Sequence, residues 1–297
     1  MSKIITSNKQ KQLADNLSKC LGVECIEADI RRFADDELRV QISTNMRDED
    51  IIIVQSTAKP ANDRLMELLL MVDAAKRAGA KKIIAVVPYL GYGRQDRPTY
   101  NYGPISARLV ASLIEVAGVD HLITLDLHSP QVEGFFRIDV QNLNSAPIFA
   151  ELFRDRKDFV VVSPDTGGLQ RTQKFGIMVG AKFAIVDKSR EKFNTCSMNE
   201  VIGNVSNKSC VIFDDIVDTG NTLCMAAELL LDCGALSVEA CITHAVLSRD
   251  ALLKLEESKI SKIFVTNSIQ HNALSSKFFI NDITQLFANE IKRIINK

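Results

Sequence analysis

Residues 209–222, SCVIFDDIVDTGNT, hold the pattern that decides the fold of this 297-residue chain. The apolar run at residues 210–213 predicts a buried strand, which leads into two adjacent carboxylates, Asp214 and Asp215. A loop containing threonine and glycine follows, and a helix with one apolar face begins at about Leu223. A strand that passes through a short loop into a helix is the repeating unit of an α/β protein.

The loop and the carboxylates also indicate a chemistry. The N–H groups of such a loop and of the helix N-terminus attract a phosphate. Adjacent carboxylates such as Asp214 and Asp215 can accept hydrogen bonds from neighbouring sugar hydroxyls. The alternative is an ordinary strand-to-helix loop with an Asp or Thr cap. Two adjacent acids repel each other unless a cationic or hydroxyl-rich group lies over them, so the pattern favours a sugar-phosphate site.

The composition is that of a soluble globular protein, with 46% hydrophobic and 25% charged residues. A net charge of −1 provides no general field for nucleic acid, so none is expected as a partner. The seven cysteines form no CxxC pair and several lie in apolar runs, which indicates reduced thiols in a cytoplasmic protein. The N-terminus is too polar for a signal peptide, and no apolar run is long enough to span a membrane.

Strands and helices alternate along the chain, which predicts an α/β fold of mainly parallel sheets flanked by helices. Strands are predicted at residues 3–6, 37–43, 50–55, 82–88, 121–125, 159–162, 181–186, 210–213, 238–244 and 260–266. Helices are predicted at residues 8–21, 60–78, 104–117, 146–153, 249–257 and 282–295, with further helix starts at residues 168 and 223. The helix at 60–78 is apolar nearly all round, which indicates burial on two sides.

The two halves of the chain resemble each other. ITLDLH at residues 123–128 has the same strand-then-acid layout as VIFDDI at residues 211–216. This predicts two similar domains from an internal duplication, residues 1–144 and 145–281, with the closing helix 282–297 a candidate to pack back on the first. Ligands of such folds bind at the C-terminal ends of the strands, and a site between the two domains is expected.

Further polar residues follow predicted strands. Residues 88–97, PYLGYGRQDR, place two arginines beside Gln and Asp, a set that suits phosphate and base or ribose edges but also an ordinary solvated loop. His128 ends another strand, where a metal ligand, a phosphate donor and a structural role are all open. Asp165, within VSPDTGG at residues 162–168, could hold a hard cation such as Mg²⁺ or could cap a helix.

Taken in order, these motifs resemble a known family. PYLGYGRQDR, LDLHSPQVEGFF at residues 125–136, VSPDTGG and the 209–222 stretch are similar to ribose-phosphate diphosphokinases (PRPP synthases) of the type I phosphoribosyltransferase superfamily. The similarity extends to FADDELRVQI at residues 33–42, to residues 45–56 and 62–83, and to THAVLS at residues 243–248. It covers nearly the whole chain.

The resemblance implies a reaction in which ATP and ribose 5-phosphate give PRPP and AMP for nucleotide biosynthesis. The ATP-binding residues that it implies are Phe33, Asp35, Glu37, Arg94, Gln95, Asp96, Arg97 and His128. Those for ribose 5-phosphate are Asp214, Asp215, Asp218, Thr219, Gly220, Asn221 and Thr222. It also implies Mg²⁺ at His128 and Asp165, catalysis by Lys188 and Arg190, and a homo-oligomer, commonly a hexamer built from dimers, in which residues 33–37 reach a neighbouring subunit.

Some positions depart from the family's usual pattern. Asp36 stands where a glycine is usual, Ser189 stands where a basic residue is usual between Lys188 and Arg190, and residues 137–141 also differ. Two other functions remain as alternatives: a non-catalytic protein that assembles with an active synthase, and a phosphoribosyltransferase that consumes PRPP. The second of these would not need the 88–97 loop, His128 or the duplicated first half.

Overall fold

The computed structural model describes residues 2–188 and 199–296. The chain divides into two compact units. The first comprises Met1–Asn144, Ser268–Gln270 and Asp282–Lys297, and the second comprises Ser145–Asn267 and His271–Asn281. Both are built from parallel strands joined through helices, so the predicted α/β fold is confirmed.

The strands of the first unit are β1 (Ser2–Thr6), β2 (Glu24–Glu27), β3 (Asp29–Arg32), β4 (Leu38–Gln41), β5 (Asp50–Val54), β6 (Lys82–Val87), β7 (His121–Leu125) and β8 (Asp139–Leu143). Its first helices are α1 (Lys11–Leu21), α2 (Ala61–Arg77) and α3 (Ser106–Ala117), with short 3-10 helices at Asn8–Gln10 and Pro130–Phe135. The main sheet has the order β2-β1-β5-β6-β7-β8 with parallel pairing, and β3 and β4 form a separate antiparallel hairpin.

The centre of the first sheet explains its apolar sequence. Strands β5 and β6 are continuous runs of Ile, Val and Ala, and their side chains are buried on both faces because helices cover the sheet. Helix α2 contributes Leu68, Met71 and Val72 to this core but leaves Met66 half-exposed. The core therefore holds the C-terminal ends of β5, β6 and β7 in fixed positions along one edge.

The strands of the second unit are β9 (Phe159–Ser163), β10 (Lys182–Lys188), β11 (Asn199–Ile202), β12 (Ser209–Val217), β13 (Ser237–Ala245), β14 (Lys262–Thr266) and β15 (Phe278–Asn281). Its helices are α4 (Ala146–Glu151), α5 (Leu169–Met178), α6 (Asn221–Asp232) and α7 (Ala251–Glu257). The sheet order is β11-β10-β9-β12-β13-β14-β15, and only the edge pair β10–β11 is antiparallel among the described strands of this sheet.

The closing helix α8 (Thr284–Ile295) belongs to the first unit. It packs against α1, where Leu13 and Leu17 are buried on one side and Phe287 and Ile291 on the other. The apolar faces of both helices have the four-residue spacing that such packing requires.

Some predicted elements differ from the structure. The helix predicted at residues 8–21 begins as a 3-10 turn, so α1 starts only at Lys11. The strand predicted at residues 37–43 is shortened to β4, and its partner β3 was not predicted because its residues are mostly polar and exposed. Strand β12 does not end at residue 213 as predicted. Its pairing with β13 continues to Val217, so the two carboxylates lie within the strand.

No helix among residues 2–188 and 199–296 combines the length and the apolar character needed to cross a membrane.

Candidate active site

The loop after β12 in the second unit is the strongest candidate for a phosphate site. It turns sharply at Gly220, whose φ of +79° is costly for any residue with a Cβ, and α6 begins at the next residue. A Cβ on Gly220 would also come 3.3 Å from Leu255 Cγ. The Ser248 N–H donates to the Asp218 carbonyl at 2.9 Å, which ties the loop to the segment after β13. A helix N-terminus that follows such a turn is a suitable position for an anion.

A lysine that the sequence analysis missed lies beside this loop. Lys254 Nζ donates to Asn221 Oδ1 at 3.0 Å and pairs with Asp250 Oδ1 at 3.2 Å. The hydrogen bond from Lys254 lowers the pKa of the exposed Asp250 carboxyl. Lys254 lies on α7, more than thirty residues from the loop in sequence, so only the fold brings this cation to the start of α6.

The paired carboxylates on β12 have a cationic partner. Arg171 Nη1 donates to Asp214 Oδ1 at 2.9 Å and also contacts Asp215 Oδ1. The Asp215 side chain is only 5% exposed, and that of Arg171 is 25% exposed. The expectation that a cationic group must lie over two adjacent acids is therefore met by the chain itself, through a residue that the sequence analysis did not single out. Its signal was a basic residue in the first turn of the helix after VSPDTGG.

Asp165 lies at the start of α5, where its Oδ1 accepts a hydrogen bond from the Gly168 N–H at 3.1 Å. This contact precedes the helix and is not an N-cap, because Gly168 occupies the N-cap position of α5 and no side chain caps the helix there. Gly168 allows the close approach, since a Cβ there would come 2.8 Å from Ser163 Oγ. Within residues 2–188 and 199–296, His, Cys, Asp and Glu side chains form no cluster of three or more that could hold a metal ion. Asp165 can still offer carboxylate oxygen to a hard cation whose other ligands are phosphates and water.

The predicted catalytic residues are at the edge of the described chain. The backbone of Lys188 ends β10, where it pairs with Asn199 of β11. Arg190 and Ser189 lie outside the described residues. The catalytic role of Lys188 and Arg190 therefore stays a prediction.

In the first unit, the loop after β6 is held mainly by its backbone. The Gly91 N–H donates to Thr57 Oγ1 at 2.6 Å, and a Cβ on Gly91 would come 2.4 Å from the Thr57 carbonyl oxygen. Both the backbone and the side chain of Gln95 are hydrogen-bonded. Its carbonyl accepts from the Ala107 N–H at 3.1 Å, and its Oε1 accepts from Ser106 Oγ at 2.7 Å. Arg94 and Arg97 are exposed on the outside of this loop, and Asp96 is half-buried.

The loop after β7 places His128 near the same edge of the sheet. Asp126 has a φ of +39°, and its N–H donates to the Leu143 carbonyl of β8 at 2.9 Å. The Leu127 N–H donates to Asn142 Oδ1 at 3.0 Å, which holds the loop while His128 is exposed. Because β6 and β7 are parallel neighbours, their loops emerge side by side, and the structure brings the 91–97 loop and His128 to one edge.

The predicted adenine-side residues lie on the turn of the β3–β4 hairpin. Phe33 is 54% exposed, and Asp35 and Glu37 are exposed as well. The turn is closed by the Phe33 N–H donating to the Glu37 carbonyl at 2.9 Å. Asp36, which stands where the resembled family usually has glycine, adopts a φ of +68°, a conformation that Asp tolerates better than most residues. Arg32 Nη1 donates to the Asp36 carbonyl at 2.8 Å and supports the turn.

These features define a class of protein: an α/β protein of two parallel-sheet units, whose second unit has a glycine-containing loop at the start of α6 and a carboxylate pair within β12. Comparison with known proteins identifies the family. Residues 2–118 match the family model described as the N-terminal domain of ribose phosphate pyrophosphokinase, and residues 177–297 match the model of a phosphoribosyl synthetase-associated domain.

Whole-chain relatives agree with these matches. The chain is 49% identical over 271 residues to the ribose-phosphate pyrophosphokinase of Agrobacterium fabrum, covering 90% of this chain and 87% of that protein. It is 43% identical to that of Thermosipho africanus, covering 98% and 94%. A crystal structure of phosphoribosylpyrophosphate synthetase from Mycobacterium smegmatis matches with a TM-score of 0.93 at 34% identity over 99% of both chains. The chain therefore belongs to the ribose-phosphate pyrophosphokinase family, as its sequence motifs predicted.

Proposed function

We propose that this chain is a ribose-phosphate diphosphokinase, which converts ATP and ribose 5-phosphate into PRPP and AMP. The anomeric hydroxyl oxygen of the sugar forms a bond to the β-phosphorus of ATP, the bond from that phosphorus to the α,β-bridging oxygen breaks, and the hydroxyl proton is released. The observation that carries the proposal is the match, over 90–98% of the chain, to proteins named ribose-phosphate pyrophosphokinases.

The second unit binds ribose 5-phosphate in this proposal. The 5-phosphate lies on the loop made of Asp218, Thr219, Gly220, Asn221 and Thr222, at the N-terminus of α6. Two observations support this placement: the open backbone that Gly220 allows, and the position of Lys254 Nζ 3.0 Å from Asn221 Oδ1. Asp214 and Asp215 accept hydrogen bonds from the ring hydroxyls, which leaves the anomeric hydroxyl as the nucleophile.

The first unit binds ATP. The exposed guanidinium groups of Arg94 and Arg97 suit phosphate oxygens because a guanidinium presents its donors as a fork. Gln95 and Asp96 belong to the same loop, and His128 emerges beside it. Phe33 offers an exposed ring for stacking on adenine, while Asp35 and Glu37 are placed on the same turn to accept from its amino group.

Mg²⁺ is the metal proposed for the reaction. When bound, it neutralises charge on the phosphates that are transferred. Asp165 fits this ion because Mg²⁺ is held through one or two carboxylates, with phosphates and water completing its shell. His128 is a poorer match for a hard cation, so its metal role rests on the family resemblance.

Lys188 and Arg190 are the proposed catalytic residues, because cations placed where charge develops lower the barrier of phosphoryl transfer. Lys188→Ala or Arg190→Ala should reduce kcat by about 100-fold or more while the KM values for both substrates change by less than about threefold. Ser189→Ala is the matched control in the same segment and should leave kcat nearly unchanged. Wild-type turnover in both cation-deleted variants would contradict the assignment.

We also propose that the chain works as a homo-oligomer built from dimers in the cytoplasm. Leu109, Leu113 and Val116 form an exposed apolar stripe at helical spacing on α3, a surface that a second copy of the chain would cover. The cysteines of the described residues are free thiols, as suits a reducing compartment. Light scattering with and without phosphate would distinguish a dimer from a hexamer.

The direct test uses the purified chain with ATP, Mg²⁺ and ribose 5-phosphate, and measures AMP by chromatography. AMP release that requires the sugar is the expected result. Diphosphate release from PRPP and a free base would favour a phosphoribosyltransferase instead. The absence of both reactions would favour a non-catalytic partner of an active synthase. Against that role stands the presence of the carboxylate pair and of His128, Asp165, Lys188 and Arg190.

A further inference from the structure

Helix α5, which carries Arg171, packs against strand β12 and so holds Arg171 beside it. Helix α5 begins next to the carboxylates, and a Cβ on Gly168 would come 3.5 Å from Asp214 Oδ1. One residue after Arg171, Thr172 Oγ1 donates to the Phe213 carbonyl at 3.3 Å. One turn further, the ring of Phe175 stacks on that of Phe213 with centroids 4.2 Å apart. The first turns of α5 are thereby fixed to the strand residue that immediately precedes Asp214.

The contacts of Arg171 join the two carboxylates through the same nitrogen. Nη1 contacts Oδ1 of both Asp214 and Asp215, although successive side chains of a strand normally point to opposite faces. Asp214 Oδ1 also accepts from the Asp215 N–H at 2.9 Å. The two carboxylates are therefore turned toward each other around one cation, in a part-buried environment where the charge pairing is screened less than at the surface.

We propose that Arg171 is a positioning residue that holds Asp214 and Asp215 in the geometry that reads the hydroxyls of the sugar, and that it thereby determines selection of ribose 5-phosphate over 2-deoxyribose 5-phosphate. The inference rests on the proposed function. A carboxylate accepts up to roughly four hydrogen bonds, so contact with Arg171 leaves capacity for sugar hydroxyls. A site built to hydrogen-bond a hydroxyl rejects the analogue that lacks it, because its buried polar groups are then unpaired.

The test compares kcat/KM for ribose 5-phosphate and 2-deoxyribose 5-phosphate in wild type, Arg171→Met and Arg171→Lys. Wild type should prefer the ribose sugar. In Arg171→Met, kcat/KM for ribose 5-phosphate should fall by about 100-fold and that for the deoxy sugar by about tenfold or less, so the preference shrinks about tenfold. The KM for ATP should stay within about twofold. Arg171→Lys should recover most of the preference because an ammonium group can also contact both carboxylates.

Lys174→Met is the matched control, since it removes a cation from the exposed face of the same helix one turn away. It should leave both sugars unaffected. Thermal unfolding of each variant separates loss of the fold from loss of selection. If Arg171→Met does not fold, Arg171→Gln replaces it, because the shorter, neutral amide removes the cation but keeps a polar group on the helix, and the same reduction in preference is expected.

Two results would overturn the inference: an equal loss for both sugars, which would mean that Arg171 supports the fold or the shared 5-phosphate, or a wild type without preference for ribose. These results differ from failure of the proposed function. If wild type releases no sugar-dependent AMP at all, the proposed reaction is wrong. If wild type is active and the variants keep the full preference, only the role of Arg171 is wrong.

Discussion

The candidate residues of the first unit and those of the second unit are placed very differently. On the nucleotide side, Phe33 is 54% exposed, and Arg94, Arg97 and His128 lie on exposed loop surfaces. On the sugar side, the Asp215 side chain is 5% exposed and lies in a strand beside Arg171. The nucleotide side is therefore a set of side chains on a rigid backbone, whereas the sugar side is a network of charges formed within the fold.

The physical reason for this difference is the cost of burying charge. An exposed arginine or phenylalanine remains in contact with water, so its burial costs nothing in the folded chain and its surface stays accessible to a ligand. A buried carboxylate must have a cationic or hydrogen-bonding partner, because otherwise the cost of removing it from water is not offset. Substitutions of the buried carboxylates on the sugar side should accordingly affect both stability and activity, and substitutions of exposed side chains on the nucleotide side should affect only activity. A substitution that forces the nucleotide-side backbone to move should also reduce stability. The predictions below test that distinction.

The largest effect is expected from Asp215→Ala. The substitution removes a buried hydroxyl acceptor and leaves Arg171 with one fewer carboxylate, so kcat/KM for ribose 5-phosphate should fall by about 100-fold or more. Stability should fall as well, by roughly 2–4 kcal/mol, because breaking a buried ion pair leaves charge uncompensated. Steady-state kinetics and urea unfolding measure the two effects. Asp155→Ala, at an exposed position of the same unit, is the control. Unchanged stability of Asp215→Ala would contradict the contrast between the two units.

The next effect is expected from Gly91→Ala in the first unit. A Cβ there would come 2.4 Å from the Thr57 carbonyl oxygen, so the backbone must move. We expect a loss of about 2–3 kcal/mol in unfolding free energy, together with weaker ATP binding through displacement of the 91–97 loop. Gly134→Ala is the control because nothing lies within 4 Å of its Cβ position. Equal stability of the two variants would show that the nucleotide-side backbone is not rigid.

A smaller effect, confined to binding, is expected from Phe33→Ala. Because the ring is half-exposed and the hairpin packs on α2 through β4, the unfolding free energy should change by less than about 0.5 kcal/mol. Loss of stacking on adenine should raise the dissociation constant for ATP about tenfold. Calorimetric titration measures the binding, and Phe33→Tyr should bind as wild type does. A large loss of stability in Phe33→Ala would contradict the contrast between the units.

The smallest effect concerns pH and the second unit. Burial lowers the pKa of His271 below its ordinary value of 6.5, although its hydrogen bond to the Ala245 carbonyl partly opposes the shift. His271 in the unfolded chain therefore binds a proton more readily than in the folded chain. The stability that the neutral imidazole contributes is fully present above pH 6.5 and is lost as the pH falls through the folded-state pKa. His271→Gln should reduce the difference in urea midpoint between about pH 7.5 and about pH 5.5. An unchanged difference in midpoint in His271→Gln would contradict this assignment.

Much of the molecule could be predicted from local patterns. The runs at β5, β6 and β12 are apolar enough that a strand buried on both faces is their natural structure, and the spacing of Leu13 and Leu17 predicts the buried face of α1. Strands β2, β3, β8, β11 and β15 were not predicted. They lie at sheet edges or in the hairpin, where polar side chains are tolerated and apolar periodicity is weak.

What the sequence determined by itself was the order of the central strands and of the helices that join them, together with the residue types that follow those strands, because these depend on neighbouring residues. The residues 209–222 were sufficient to predict an anion site beside paired acids. What only the tertiary structure decided was which distant residues lie beside the acids and the loop. Arg171 and Lys254 lie on helices 43 and 33 residues away from Asp214 and Asn221, respectively. Their positions follow from how α5 and α7 pack on the second sheet. Packing decides the outcome because electrostatic interaction depends on the distance between two charges in space and not on their separation along the chain.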